Sequence, residues 1–205
     1  MLPCIAPAKT NDNNGRGGTI RGDLMDATIR AIDQLNLRVG RVVMWLAVIM
    51  AIVQFIVVIM RYVFAIGFIP LQESIWYMHG LLFTLGAGFA LMIDGHVRVD
   101  VFYREAGPQR KALVDLLGSI FLLLPTCVAT LWLSGSYVTN SWRVLEGSTE
   151  TSGLPLIFLL KTAIWIFAIL LGLQGVALLL RAWRALIRNS ETYSASATGG
   201  HDSVA

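Results

Sequence analysis

Four stretches of this chain contain no Asp, Glu, Lys or Arg: Val42 to Met60, Ser74 to Ile93, Leu116 to Trp142 and Thr162 to Leu180. A hydrocarbon core about 30 Å thick is crossed by roughly 20 helical residues at 1.5 Å each, so every run is long enough to span it. The expected fold class is therefore an all-α membrane protein with four transmembrane helices. Composition agrees: 56% of the 205 residues are hydrophobic and 14% are charged, whereas a soluble domain carries about 25% charged residues. Spans are expected at about 39–61, 71–94, 112–138 and 154–181, within a membrane domain over 21–188. The segments 1–20 and 189–205, rich in small and polar residues, read as disordered tails.

Local signals refine this outline. Asp23 can cap a helix in which Met25, Ile29, Ile32, Leu35 and Val39 recur at helical spacing opposite Asp26, Arg30 and Asp33. That pattern reads as a short amphipathic interfacial helix before the first span, or alternatively as an extension of that span. The third run has 27 uncharged residues with Pro125 near its middle, which predicts tilt and a possible kink. Pro155 suits the first turn of the fourth helix, which is expected to begin around Leu154 or Pro155.

Orientation follows from the basic residues. Six precede the first span (Lys9, Arg16, Arg21, Arg30, Arg38, Arg41), four join spans two and three (Arg98, Arg104, Arg110, Lys111), and Arg181, Arg184 and Arg188 follow the fourth. The other two connections hold only Arg61 and Arg143. The positive-inside rule then puts both termini and the middle loop in the cytoplasm. Tyr62, Trp76, Tyr77, Tyr137 and Trp142 fall at outer span ends, and Trp45, Tyr103 and Trp183 near inner ends, as an aromatic belt requires. A net charge of +3 spread along these flanks forms no nucleic-acid-binding face. The two cysteines, Cys4 and Cys127, supply neither a disulfide framework nor a metal-ligand spacing.

Ionisable groups near spans are the natural candidates for function, because charge in a bilayer needs a partner or a route to water. Glu73 and Lys161 both fall near the outer face and are expected to neutralise one another, directly or through a shared group on a partner; the alternative is that Glu73 caps its helix and Lys161 snorkels. Asp94, His96, Arg98 and Asp100 form a dense polar group after span two, either catalytic or a locally paired helix end. His79 and His96 raise a haem-binding alternative, that of a respiratory membrane anchor. They lie 17 residues apart on one span and its exit, about 25 Å along a helix, and so cannot be two axial ligands of one haem. Gly80, Gly86, Ala87, Gly88 and Ala90 in span two, with Gly172 and Gly175 in span four, allow close helix approach; the mid-span amides Gln54 and Gln174 then need partners in the bundle or on another subunit. No catalytic set, metal signature or phosphate loop is present in the sequence, and neither enzyme activity nor a cofactor is expected.

Taken in order, these motifs resemble a known family. Arg61-Tyr62 after span one, Glu73 opening span two, Gly86 and Gly88, then His96-Val97-Arg98-Val99-Asp100, with Pro155, Lys161, Leu173 and Gln174 in span four, are similar to the small DctQ-type membrane subunit of tripartite ATP-independent periplasmic (TRAP) transporters. The resemblance covers about residues 38 to 182, and departs from the family at Ala163 to Ile166, where an Ile-Pro pair is usual. It implies a non-catalytic scaffold in a bacterial inner membrane, paired with a large multi-span permease subunit that carries sodium and substrate sites. A periplasmic binding protein would deliver an organic acid. Arg61, Glu73, Asp94, His96, Arg98, Asp100, Lys161 and Gln174 are then structural or partner-contact candidates, with membrane lipids as further neighbours.

The orientation is directly checkable by cysteine labelling. A cysteine replacing Gly147 is expected to react with an impermeant reagent from the outer side, and one replacing Gly107 only after permeabilisation. The opposite pattern contradicts the topology.

Overall fold

The computed structural model describes residues 20–93, 95 and 108–198. Among them every regular element is helical: α1 (Ile20–Tyr62), α2 (Ile69–Met92), α3 (Pro108–Gly118), a π-helical turn (Ser119–Leu123), α4 (Leu124–Arg143) and α5 (Ile157–Thr198). α3, the π turn and α4 together make the third span. Four helices are thus long and apolar enough to cross a membrane. The cluster Asp94, His96, Arg98 and Asp100 lies outside the described residues.

The first helix departs from the expected division into an interfacial helix and a span. Between Ile20 and Tyr62 no proline interrupts the ladder, and α1 runs unbroken for 43 residues, about 65 Å at 1.5 Å per residue. The amphipathic segment is therefore the N-terminal extension of span one. Its buried line is Ile29, Ile32, Asn36, Gly40 and Val43, a seam at i, i+3 and i+4 spacing that turns away from Leu35, which is exposed. α1 ends where Ala65 takes the left-handed conformation (φ 55°), and the Ile66 amide closes onto the Met60 carbonyl at 3.0 Å. Pro70 sits in the first turn of α2, where its missing N–H costs nothing.

In the third span the irregularity precedes the proline. Pro125 has no N–H for the carbonyl four residues back, and the chain absorbs the defect as a single π turn just before it. The Leu124 amide bonds to the Ser119 carbonyl five residues back, and the Thr126 hydroxyl donates to the Leu122 carbonyl at 2.6 Å. α5 starts at Ile157, two to three residues later than the proline suggests, and extends past Asn189 to Thr198, through part of the segment read as a tail.

The spans lie in the order one, two, four, three. α1 packs along α2, α2 along α5, and α5 along α3, the π turn and α4, while the N-terminal part of α1 returns to touch α5. One third of the apolar window of the fourth span is buried, against 6% of the first and of the second, so α5 is the axis of the fold. Ala163, Ala168, Ala177 and Ala182 are buried along it, and their small side chains let neighbouring helices approach on several sides. The result is a row of helices with broad apolar faces, a shape that lipid or another protein must cover.

Close packing between α1 and α2 depends on Gly40. A Cβ there would lie 2.5 Å from the ring of Phe89 and 2.8 Å from its Cβ, too near for a rotamer change to relieve. Gly40→Ala is expected to destabilise the detergent-solubilised subunit by about 1–3 kcal/mol through overpacking. Gly118→Ala, with no atom within 4 Å of the added carbon, is expected to leave stability unchanged or raise it by about 0.5–1 kcal/mol. Thermal unfolding of the two variants checks the contrast.

Candidate functional site

Two polar clusters, one around the middle of α5 at Gln174 to Arg184 and one beside Lys161 near its start, contain most of the tertiary polar bonds among the described residues. In the first cluster, Asn36 and Gln174 are 0% and 1% exposed. The Asn36 amide donates to the Gln174 carbonyl oxygen at 2.9 Å and to the Ile32 carbonyl at 3.3 Å. The Gln174 amide in turn donates to an Asp33 carboxylate oxygen at 3.2 Å, and Arg181 holds the other oxygen of Asp33. Beside this pair, Arg184, three residues past Arg181, bonds to Asp26, seven residues before Asp33. Each group acts in the role its chemistry dictates, from buried amide to carboxylate to guanidinium. The antiparallel register of α1 and α5 spaces the partners correctly. Gly88 of α2 completes the site, since any Cβ there would overlap Asn36 Oδ1.

In the second cluster the loop 144–156 is pinned from two sides. Glu73 and Tyr77, one turn apart on α2, bracket Leu154: Glu73 Oε2 accepts its amide at 2.6 Å and the Tyr77 hydroxyl donates to its carbonyl at 3.2 Å. The other Glu73 oxygen accepts from Ser148. On α5, Lys161 pairs with Glu146 and lies 3.9 Å from the centre of the Tyr137 ring. Beside it, Trp142 Nε1 donates to Thr162 Oγ1 at 2.8 Å, and the Trp142 and Phe158 rings meet edge-on at 4.7 Å.

These contacts correct the expected partnership of Glu73 with Lys161. Each has its own partners: loop groups for Glu73, and Glu146 for Lys161. Nor does Glu73 cap α2, which begins at Ile69 without a side-chain cap. Lys161 does not simply snorkel, because a carboxylate comes to it. The reason lies in the end of α4. Leu145 adopts φ 45°, the Glu146 amide bonds back to the Ser141 carbonyl at 3.0 Å and the Leu145 amide to Trp142 at 3.3 Å, the two bonds of a Schellman stop. A leucine in that conformation costs about 1–2 kcal/mol, and it turns Glu146 back toward the fourth span.

Of the other sequence candidates, Gln174, near the middle of the fourth span as expected, joins the first cluster. Arg61 lines a cleft between α1 and α2 with Gln72. Asn36 and Glu146 were missed. Asn36 sits seven residues from both Ile29 and Val43, a heptad line that could have flagged it; for Glu146, at the far side of a left-handed leucine, no local signal exists.

Hydrogen bonding from the Lys161 ammonium holds the Glu146 carboxyl below its ordinary range. A carboxyl depressed in the folded state adds stability above its unfolded pKa, and that contribution is lost as pH falls through the folded value. Acidification below the usual carboxylate range is therefore expected to lower the melting temperature of the wild type more than that of Glu146→Gln. In a double-mutant cycle, Glu146→Gln and Lys161→Met should be non-additive, whereas Glu73→Ala and Lys161→Met should add. Coupling between Glu73 and Lys161 alone would contradict the assignment.

The sequence comparisons agree with this architecture. The family described as "Tripartite ATP-independent periplasmic transporters, DctQ component" matches residues 49–185. No curated protein and no solved structure matches the chain.

Proposed function

This chain belongs to the DctQ component family of TRAP transporters, and on that premise we propose that it is a non-catalytic scaffold for the large permease subunit in a bacterial inner membrane. The transporter it serves would be a sodium-coupled secondary system for organic acids, supplied by a periplasmic binding protein. Both termini face the cytoplasm in this reading, so loop 144–156 lies on the periplasmic side, where it is available to a docking binding protein.

The observation that carries the scaffold reading is where the polar groups go. At the inner end, Asp26, Asp33, Asn36, Gln174, Arg181 and Arg184 bond to one another. At the outer end, Glu73, Glu146 and Lys161 bond to the chain's own loop and helices. Groups committed to rigidity are unavailable to a passing ion or acid. They make a stiff, wide membrane element against which a moving domain of the large subunit can work. A match to a transporter component family does not favour the haem-anchor alternative.

Reconstituted transport provides the test. Proteoliposomes holding the large subunit alone are expected to be inactive with binding protein and substrate, and addition of this subunit to restore uptake. Asp33→Asn and Glu146→Gln should lower the maximal rate or the yield of complex without changing which acids compete. Substitutions at Asp94, His96 or Asp100 are expected to act in the same way. Altered substrate preference in an intact complex would contradict the scaffold reading.

A further inference from the structure

Among the described residues outside the two clusters, a set of exposed polar side chains on α1 and α2 has no partner within the chain. Gln54 and Arg61 stand seven residues apart on α1, and Gln72 and His79 seven apart on the antiparallel α2. Seven residues are nearly two turns, so each pair shares a helix face with a separation of about 10 Å along the axis. Gln54, Arg61 and Gln72 line one cleft of about 230 Å³. Ile75 and Trp76 continue it into a hollow of about 450 Å³ that contains His79. All four side chains are exposed, and among the described residues none has a hydrogen bond or ion pair; His79 makes only a tilted ring contact with Phe83 at 5.1 Å.

The depth of these groups decides what can cover them. Arg61 and Gln72 lie at the outer ends of their spans, where water or a headgroup could satisfy them. Gln54 and His79 lie about 10 Å deeper, among acyl chains that offer no donor or acceptor. A headgroup at Arg61 does not reach that far. A helix does, because its side chains supply polar groups at both levels with the same seven-residue period. Helix-end electrostatics accounts for a cation in the last turn of α1, but not for the amide and imidazole two turns below.

We propose that the seam formed by Gln54, Arg61, Gln72 and His79 between spans one and two receives a transmembrane helix of the large permease subunit. That helix would present a carboxylate near its outer end, opposite Arg61, and an amide or hydroxyl about two turns deeper, opposite Gln54 and His79. Charge complementarity fixes the outer rung, and the need to satisfy polar groups in hydrocarbon fixes the inner one. The inference rests on the small-subunit reading and adds to it the face that binds.

The experiment uses the full chain co-expressed in membranes with the tagged large subunit. A benzophenone amino acid is introduced at Val58 or Trp76, beside the seam, and at Trp132 or Leu133 of α4, which are 82% and 76% exposed. Seam positions are expected to give an adduct with the large subunit on irradiation, and α4 positions to give none. Combining Arg61→Gln with Gln54→Leu is expected to reduce the co-purified large subunit by about tenfold or more, with the melting temperature of the isolated small subunit unchanged. Lipid-only adducts at the seam, protein adducts confined to α4, undiminished co-purification, or a lowered melting temperature of the isolated variant would each overturn the assignment. Failure of the wild-type chain to retain the large subunit at all would instead overturn the functional reading, and the named occupant with it.

Discussion

The fold depends on a single buried hydrogen bond between two amides, Asn36 and Gln174. Span one packs mainly along span two, and its apolar surface is almost wholly outside the protein, so hydrophobic burial does little to choose its position against span four. In a bilayer, apolar helices slide and rotate past one another at small cost, because lipid chains are as apolar as leucine. A polar pair breaks that degeneracy. Leaving either amide without its partner costs about 1–3 kcal/mol, and only one register of α1 on α5 joins them. A lone Asn on a heptad line performs the same task in coiled coils. Asp33 and Arg181 extend the bond to the surface, and Gly88 leaves the space in which Asn36 sits.

From that constraint the remaining geometry follows. With α1 fixed in its N-terminal half and α2 packed on both α1 and α5, the fourth span becomes the axis and the third is left at the far edge, held by small residues of α5 and by the Trp142 and Phe158 contact. The loop 144–156 is tied to both spans two and four, through Leu154 and Glu146. A row of helices clamped at its two faces is rigid yet exposes long apolar flanks, which suits a part that is to be embedded in a larger membrane assembly. Among the described residues, the polar seam between spans one and two is a place on those flanks where membrane chemistry is incomplete.

Much of this was legible in the sequence. The four uncharged runs located the spans, Pro125 marked the irregular turn of the third, and the ordered motifs from Arg61 to Gln174 pointed to the family. What the sequence hid were long-range partnerships. Glu73 and Lys161 share a depth, and depth alone paired them; a left-handed Leu145 instead sent Glu146 to Lys161, and nothing local announces that conformation in a leucine. Asp26 and Asp33 read as the wet face of an interfacial helix because their partners, Arg181 and Arg184, lie some 150 residues away and also serve as topology signals. The continuity of α1 was hidden for a related reason, since an amphipathic pattern looks the same whether its polar face meets water or another helix.

The most direct measurement of the central constraint is the distance between spin labels at Arg30 on α1 and Trp183 on α5, both exposed, read by pulsed electron paramagnetic resonance in lipid nanodiscs. The intact subunit is expected to give one narrow distribution, and Asn36→Leu a broadened or shifted one, as span one loses its register on span four. An unchanged, equally narrow distribution in Asn36→Leu would show that the amide pair does not set the arrangement of the helices.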